Sequence, residues 1–155
     1  MISAELVREC LSYDRETGIF TWIKTSRTDL IGTVAGRLDS RGYRQIYIGG
    51  RRYMAQQLAW LFVYGTLPKC KDIDHENRIR DDNWIANLRS ATRAENISNS
   101  ALRKDNTTGA RGVRREGNRY RAVHARKSLG SFATIECAAA AYNRAVAQRF
   151  GDFVR

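Results

Sequence analysis

Four side chains in this chain could do chemistry together: Asp74, His75, Asn87 and Asn96. A neutral imidazole is the usual group for taking a proton from water near pH 7. A hard cation such as magnesium prefers oxygen ligands, and a carboxylate with an amide oxygen supplies them while leaving positions for water and phosphate. With Asp74 and His75 at a strand end and Asn96 on a helix packed across a hairpin, the three could gather around one phosphate. A plainer reading exists on side-chain chemistry alone. A lone histidine in a polar strand is commonly a satisfied surface residue, and Asp-His pairs arise by chance.

The elements that must position these residues follow from pattern. Lys71 to His75 reads as a strand, Glu76 to Asp82 as a polar loop, and Leu88-Arg89-Ser90 as a return strand. Thr92-Arg93-Ala94-Glu95 has the form of a capping box, so a helix carrying Asn96 and Asn99 should start there. Upstream, Ser3 can cap a helix running to about Leu11. Ile19 to Trp22 reads as a strand after the Asp14–Gly18 turn signal. Arg44 to Ile48 alternates and should pair with Arg51-Arg52-Tyr53 across Gly49-Gly50. Apolar residues then recur at helical spacing from Met54 to the terminator Gly65. Trp60 and Trp84 read as core residues.

Beyond the polar cluster Asp105–Gly109, three short strands are expected at Gly112–Arg115, Arg119–Ala125 and Ser128–Phe132. A helix capped by Thr134 should then run from about Ile135 to Arg149. The expected class is α+β in two parts: residues 1–103, and residues 104–155 as a three-stranded antiparallel sheet on one helix.

Charge separates the same two parts. The formal net charge is +11, and residues 101–155 hold 12 Lys/Arg against 4 Asp/Glu, leaving +3 for the first hundred residues. Such asymmetry points to a polyanion bound mainly by the C-terminal third, with affinity from counterion release. Cys10, Cys70 and Cys137 fall in no ligand-like spacing, which gives neither a zinc finger nor a disulfide framework and fits a reducing interior. The first residues lack the pattern of a signal peptide, and the run Leu58–Tyr64 is too short to span a bilayer. A protein of the cytoplasm, without membrane or small-molecule cofactor, is expected.

The spacing of Ile73-Asp74-His75-Glu76-Asn77, Asp82-Asn83, Asn87-Leu88-Arg89 and Thr92-Arg93-Ala94-Glu95-Asn96 resembles the His-Asn-His (HNH) endonuclease family. In particular it is similar to the homing-endonuclease-like branch common in phage genomes. Gly42–Ile48 and Leu58-Ala59-Trp60 are also similar to what leads into that motif. The resemblance implies a ββα-metal fold and single-metal hydrolysis of phosphodiester bonds in double-stranded DNA, in a bacterial or phage-infected cell. By it, His75 matches the general base, Asp74 and Asn96 the ligands of a divalent metal (magnesium, with manganese also suited), and Asn87 the middle Asn that braces the hairpin. Gln56-Gln57 departs from the family's usual His-Arg. Arg78, Arg80, Arg89 and Arg93 surround the motif, either as phosphate clamps or as partners of Asp81 and Asp82.

In the basic third, Arg111–Arg115, Tyr120-Arg121-Ala122, Leu129–Phe132, Cys137–Tyr142 and Phe150-Gly151 resemble the APETALA/ethylene-response-factor type of DNA-binding domain. That family lays its three-stranded sheet in the major groove. Period-two alternation independently puts Tyr120, Ala122 and His124 on one face, against the helix, and Arg119, Arg121 and Val123 on the other. Arg111, Arg114, Arg121 and Arg126 match family contact positions, and Arg119 joins them on the outer face. The tryptophans often found on that surface are absent here, so phosphate gripping is the expected role. The competing reading is a non-catalytic DNA-binding regulator. An RNA-binding role is disfavoured because neither sheet shows an exposed aromatic platform.

Overall fold

The computed structural model describes residues 2–100 and 102–151, so residues 152–155 of the expected C-terminal part lie outside the described residues. The chain forms two compact units, Met1–Arg93 and Ala94–Arg155.

The first unit opens with α1 (Ala4–Cys10), where the Ser3 hydroxyl accepts from the Leu6 N–H as a cap. The helix stops one residue before the expected Leu11. Leu11 is already extended and belongs to β1 (Leu11–Tyr13), whose buried–exposed–buried alternation sends Leu11 and Tyr13 into the core. Here strand alternation overrides the helical spacing of Leu6, Val7 and Leu11. β1 pairs antiparallel with β2 (Phe20–Trp22) across a turn in which Asp14 Oδ1 accepts from the Glu16 and Thr17 N–H groups.

A three-stranded antiparallel sheet follows, β3 (Arg37–Leu38), β4 (Arg44–Ile48) and β5 (Arg51–Met54), with β4 central. Gly49 and Gly50 both take positive φ, 58° and 78°, as a two-residue hairpin of the twist-matched kind requires. α2 (Ala55–Tyr64) ends at Gly65 in the left-handed conformation, and it buries Ala55, Leu58, Ala59 and Leu61 against Val7, Leu11, Phe20 and Ile46. The ring pair Tyr13–Phe20, with centroids 4.7 Å apart, ties the first hairpin into this core. β6 (Asp72–His75) and β7 (Leu88–Ala91) form a further hairpin, joined by a long loop that ends in a 3-10 turn, Ile85–Asn87.

α3 (Arg93–Asn99) begins one residue after Thr92, at the division between the units. The second unit continues with β8 (Val113–Glu116), β9 (Arg119–His124) and β10 (Lys127–Phe132), an antiparallel sheet with β9 central. α4 (Ile135–Phe150) packs on it, with Thr134 Oγ1 accepting from the Cys137 N–H. Ala122 and Ala138 are fully buried where sheet meets helix. Gly112 is required nearby: its φ is +66°, and a Cβ there would sit 2.1 Å from the Tyr142 ring. Among the described residues no helix is long and apolar enough to cross a membrane.

Candidate active site

The β6–β7 hairpin brings Asp74, His75 and Asn87 together. Asp74 and His75 are consecutive on β6, facing Arg89 and Leu88 in register. Asn87 is 3 % exposed and closes the loop from three sides. Its carbonyl accepts from the Glu76 N–H at 2.8 Å, its Oδ1 accepts from the Asn77 N–H at 3.0 Å, and its Nδ2 donates to the Asp82 carbonyl at 2.6 Å. A buried amide so fully engaged fixes the loop geometry, because losing any one partner leaves a desolvated polar group. Asn87 is thus a structural brace of the hairpin.

His75 is 4 % exposed, and its Nε2 lies 3.1 Å from Asn83 Oδ1. The Asn83 amide has a fixed sense, since its Nδ2 donates to the Asp81 carbonyl at 2.9 Å. An amide oxygen only accepts, so Nε2 carries the proton and Nδ1 holds the basic lone pair. Burial pushes the imidazole pKa below the ordinary histidine range, partly offset by the Asn83 hydrogen bond and by the charges of Asp74, Asp82 and Asp81. The neutral form, the one able to accept a proton, is therefore favoured.

Asn83 is the residue that reading the sequence missed. It is 1 % exposed, and its carbonyl accepts from the Tyr13 hydroxyl at 2.7 Å. Burial holds the Tyr13 phenol protonated, as a donor must be. Gly18, at φ +73°, lets the first turn press on the same loop: a Cβ there would lie 2.2 Å from the Trp84 nitrogen and 2.3 Å from the Asn83 carbonyl carbon. Trp84 is 38 % exposed, so it is not the core residue expected from sequence. Trp60 is partly buried against the core and stacks on Tyr64 at 4.5 Å.

Asp74 Oδ2 meets Arg89 Nη2 at 3.2 Å and Nε at 3.3 Å, with both side chains largely buried. Arg44 makes the tighter, bidentate pair with Asp81, at 2.8 Å on each arm. Asn96 is half-buried on α3 in the other unit, and Asn99 on the same helix is 2 % exposed. Among the described residues no three His, Cys, Asp or Glu side chains cluster as a metal-ligating group. The oxygen donors along this hairpin, carboxylate and amide, are of the class that a hard divalent ion takes while keeping much of its shell for water and phosphate.

The basic surface of the second unit is placed as alternation predicts, with one addition. Ala122 is buried toward α4, and the His124 ring stands edge-on to Tyr142 and Phe150 at 5.6 and 6.0 Å. Arg114 and Arg121 are register partners on the outer face. Both reach the Glu116 carboxylate, at 3.1 and 2.8 Å. Arg119 donates to the Ser131 carbonyl at 2.8 Å and to its hydroxyl at 3.1 Å. Arg126 is exposed in the β9–β10 turn at φ +66°. Arg111 sits off the sheet face, and its Nη1 donates to the Ile97 carbonyl at 3.1 Å and the Ser100 hydroxyl at 3.2 Å.

Residues 53–97 match the model of a family described as HNH endonuclease. The matched stretch contains Asp74, His75, Asn83, Asn87 and Asn96. The chain is also 26 % identical over 144 residues to a protein of Acanthamoeba polyphaga mimivirus described as an uncharacterized HNH endonuclease, a match covering 90 % of this chain and 75 % of that protein. No solved structure matches the chain.

Proposed function

We propose that this chain, whose residues 53–97 match a family described as HNH endonuclease, hydrolyses phosphodiester bonds of double-stranded DNA with His75 as general base and one divalent metal. The observation that carries this reading is a buried imidazole, held at Nε2 by Asn83 and kept neutral by burial, inside the stretch that matches the HNH endonuclease family. Nδ1 takes a proton from a water molecule as its oxygen bonds to phosphorus. The bond from phosphorus to the 3′ oxygen breaks, and that oxygen takes a proton from solvent water, giving a 5′-phosphate and a 3′-hydroxyl. Asn83 orients the base and Asn87 braces the loop that carries it. By the family resemblance, Asp74 and Asn96 would hold a divalent metal, magnesium with manganese also suited. That ion would supply Lewis-acid stabilisation of the charge on phosphate.

The second unit is the anchor. Its three-stranded sheet, backed by α4, presents Arg114, Arg119 and Arg121 to DNA as the APETALA/ethylene-response-factor resemblance implies, with Arg126 at the rim. Arg111, bonded to Ile97 and Ser100, serves the fold of this unit first and DNA second. The same sequence resemblance supports a homing-endonuclease-like enzyme of phage type, acting in the cytoplasm of a bacterial or phage-infected cell.

Supercoiled plasmid incubated with the purified chain tests the reading. Cleavage should appear with magnesium or manganese, vanish with a chelator, and leave 5′-phosphate ends. Equal cleavage in the chelator, or 3′-phosphate ends, would overturn it.

A further inference from the structure

Resting on the reading of His75 as the base, we propose that Arg80 and Arg41, both stacked on Tyr43, form a clamp for a backbone phosphate of the DNA beside the imidazole. The Tyr43 ring lies 6.1 Å from the His75 ring, centroid to centroid. Arg80 Cζ is 5.1 Å from the centre of the Tyr43 ring and Arg41 Cζ is 5.6 Å from it. Tyr43 therefore links two guanidinium groups to the base.

Arg80 is exposed, and a long exposed cation ordinarily roams. This one is held. Its Nη1 donates to the Arg41 carbonyl at 2.7 Å, and its planar head lies within stacking range of an aromatic ring. Its loop is also built. The Arg78 N–H donates to the His75 carbonyl at φ +65°, the Ile79 N–H donates to Asn77 Oδ1, and Asp81 is pinned by Arg44. The carboxylates close by in sequence are committed elsewhere: Asp81 to Arg44, Asp82 to the Asn77 amide, and Asp39 to Arg41 and to the Tyr43 N–H. Among the described residues no carboxylate pairs with Arg80.

Arg41 is already paired with Asp39 at 3.2 Å, which leaves Arg80 as the guanidinium on this ring without a carboxylate among the described residues, and an anion received there offsets its charge. A phosphodiester suits the place, because the guanidinium fork matches phosphate oxygens in two-point contact. The two ring distances put the Arg80 head no more than about 11 Å from the imidazole. At about 3.4 Å of axial rise per nucleotide on one strand, that reaches a phosphate within roughly three steps of the one being cut. The clamp would set which phosphate meets Nδ1.

Full-length Arg80→Ala and Arg80→Lys, bound to a duplex in the presence of chelator, test this by phosphate-ethylation interference and by salt titration. In the wild-type protein one or two ethylated phosphates flanking the cut site should block binding. Arg80→Ala should lose that interference and show a salt slope shallower by about 0.9. With metal added, its KM should rise roughly tenfold while kcat changes less. Arg80→Lys should keep the salt slope and still lose position-specific interference, because a point charge replaces the stacked fork. An unchanged interference pattern and slope in Arg80→Ala would overturn the clamp whatever the cleavage assay reports. Cleavage that persists undiminished in His75→Ala would overturn the base and leave the interference result standing.

Discussion

The loop between β6 and β7 and the outer face of β8–β10 solve opposite problems with polar side chains. In the loop, Asn83 and Asn87 are buried to 1 % and 3 % and bonded on both amide atoms, so the groups around His75 are set before any ligand arrives. On the sheet, Arg114 and Arg121 share the Glu116 carboxylate on a surface where an ion pair contributes little, typically below about 1 kcal/mol. Those contacts can be exchanged for phosphates at small cost. Under the proposed function, reaction geometry belongs to the first unit and adjustable affinity to the second.

Replacing Asn83 by alanine attacks the first side of this contrast and should have the larger effect. The imidazole loses the acceptor that fixes its tautomer, and kcat should fall roughly 10- to 100-fold, a share of the usual worth of a general base. The pH profile separates positioning from simple unfolding. The base works when neutral, and burial already lowers its pKa, so the acid limb of the wild-type profile should lie below about 6.5. The Asn83 hydrogen bond favours the charged ring. Removing it should therefore move the limb further toward acid even as the plateau drops. A limb that stays in place would mean that Asn83 only supports the fold.

Glu116→Gln probes the other side and should do less. It releases Arg114 and Arg121, so DNA binding should tighten a few-fold. Its salt dependence should steepen by about 0.9 for each phosphate newly engaged. Unchanged affinity and slope would show that this face does not meet DNA. Neither substitution should reproduce the other's signature, since one alters kcat and its pH dependence and the other alters binding alone.

The parts of this architecture visible in sequence are those with local signals. Gly49-Gly50 marked the β4–β5 hairpin, Ser3 and Thr134 marked helix starts, and alternation sorted Tyr120, Ala122 and His124 toward α4. The bracing role of Asn87 came from the family resemblance, and the three hydrogen bonds give its physical basis. Asn83 was quoted within the motif but given no role. Its contact with His75 crosses eight residues of a loop that bends through a left-handed arginine, and its contact with Tyr13 spans seventy. No local pattern encodes either. Glu116, which turn chemistry with Gly117 and Asn118 put in the turn, instead ends β8, where alternation sets it on the face of Arg114. Arg111, matched to a family contact position, also donates to the Ile97 carbonyl, a partner that no local pattern reveals.

The central claim is that one buried imidazole takes the proton from the attacking water. Single-turnover cleavage by His75→Ala, run beside a gel-shift assay on the same duplex, tests it most directly. Cleavage should fall by about 10²- to 10⁴-fold while the dissociation constant stays near that of the wild-type protein. Cleavage at the wild-type rate, or a matching loss of binding, would contradict it.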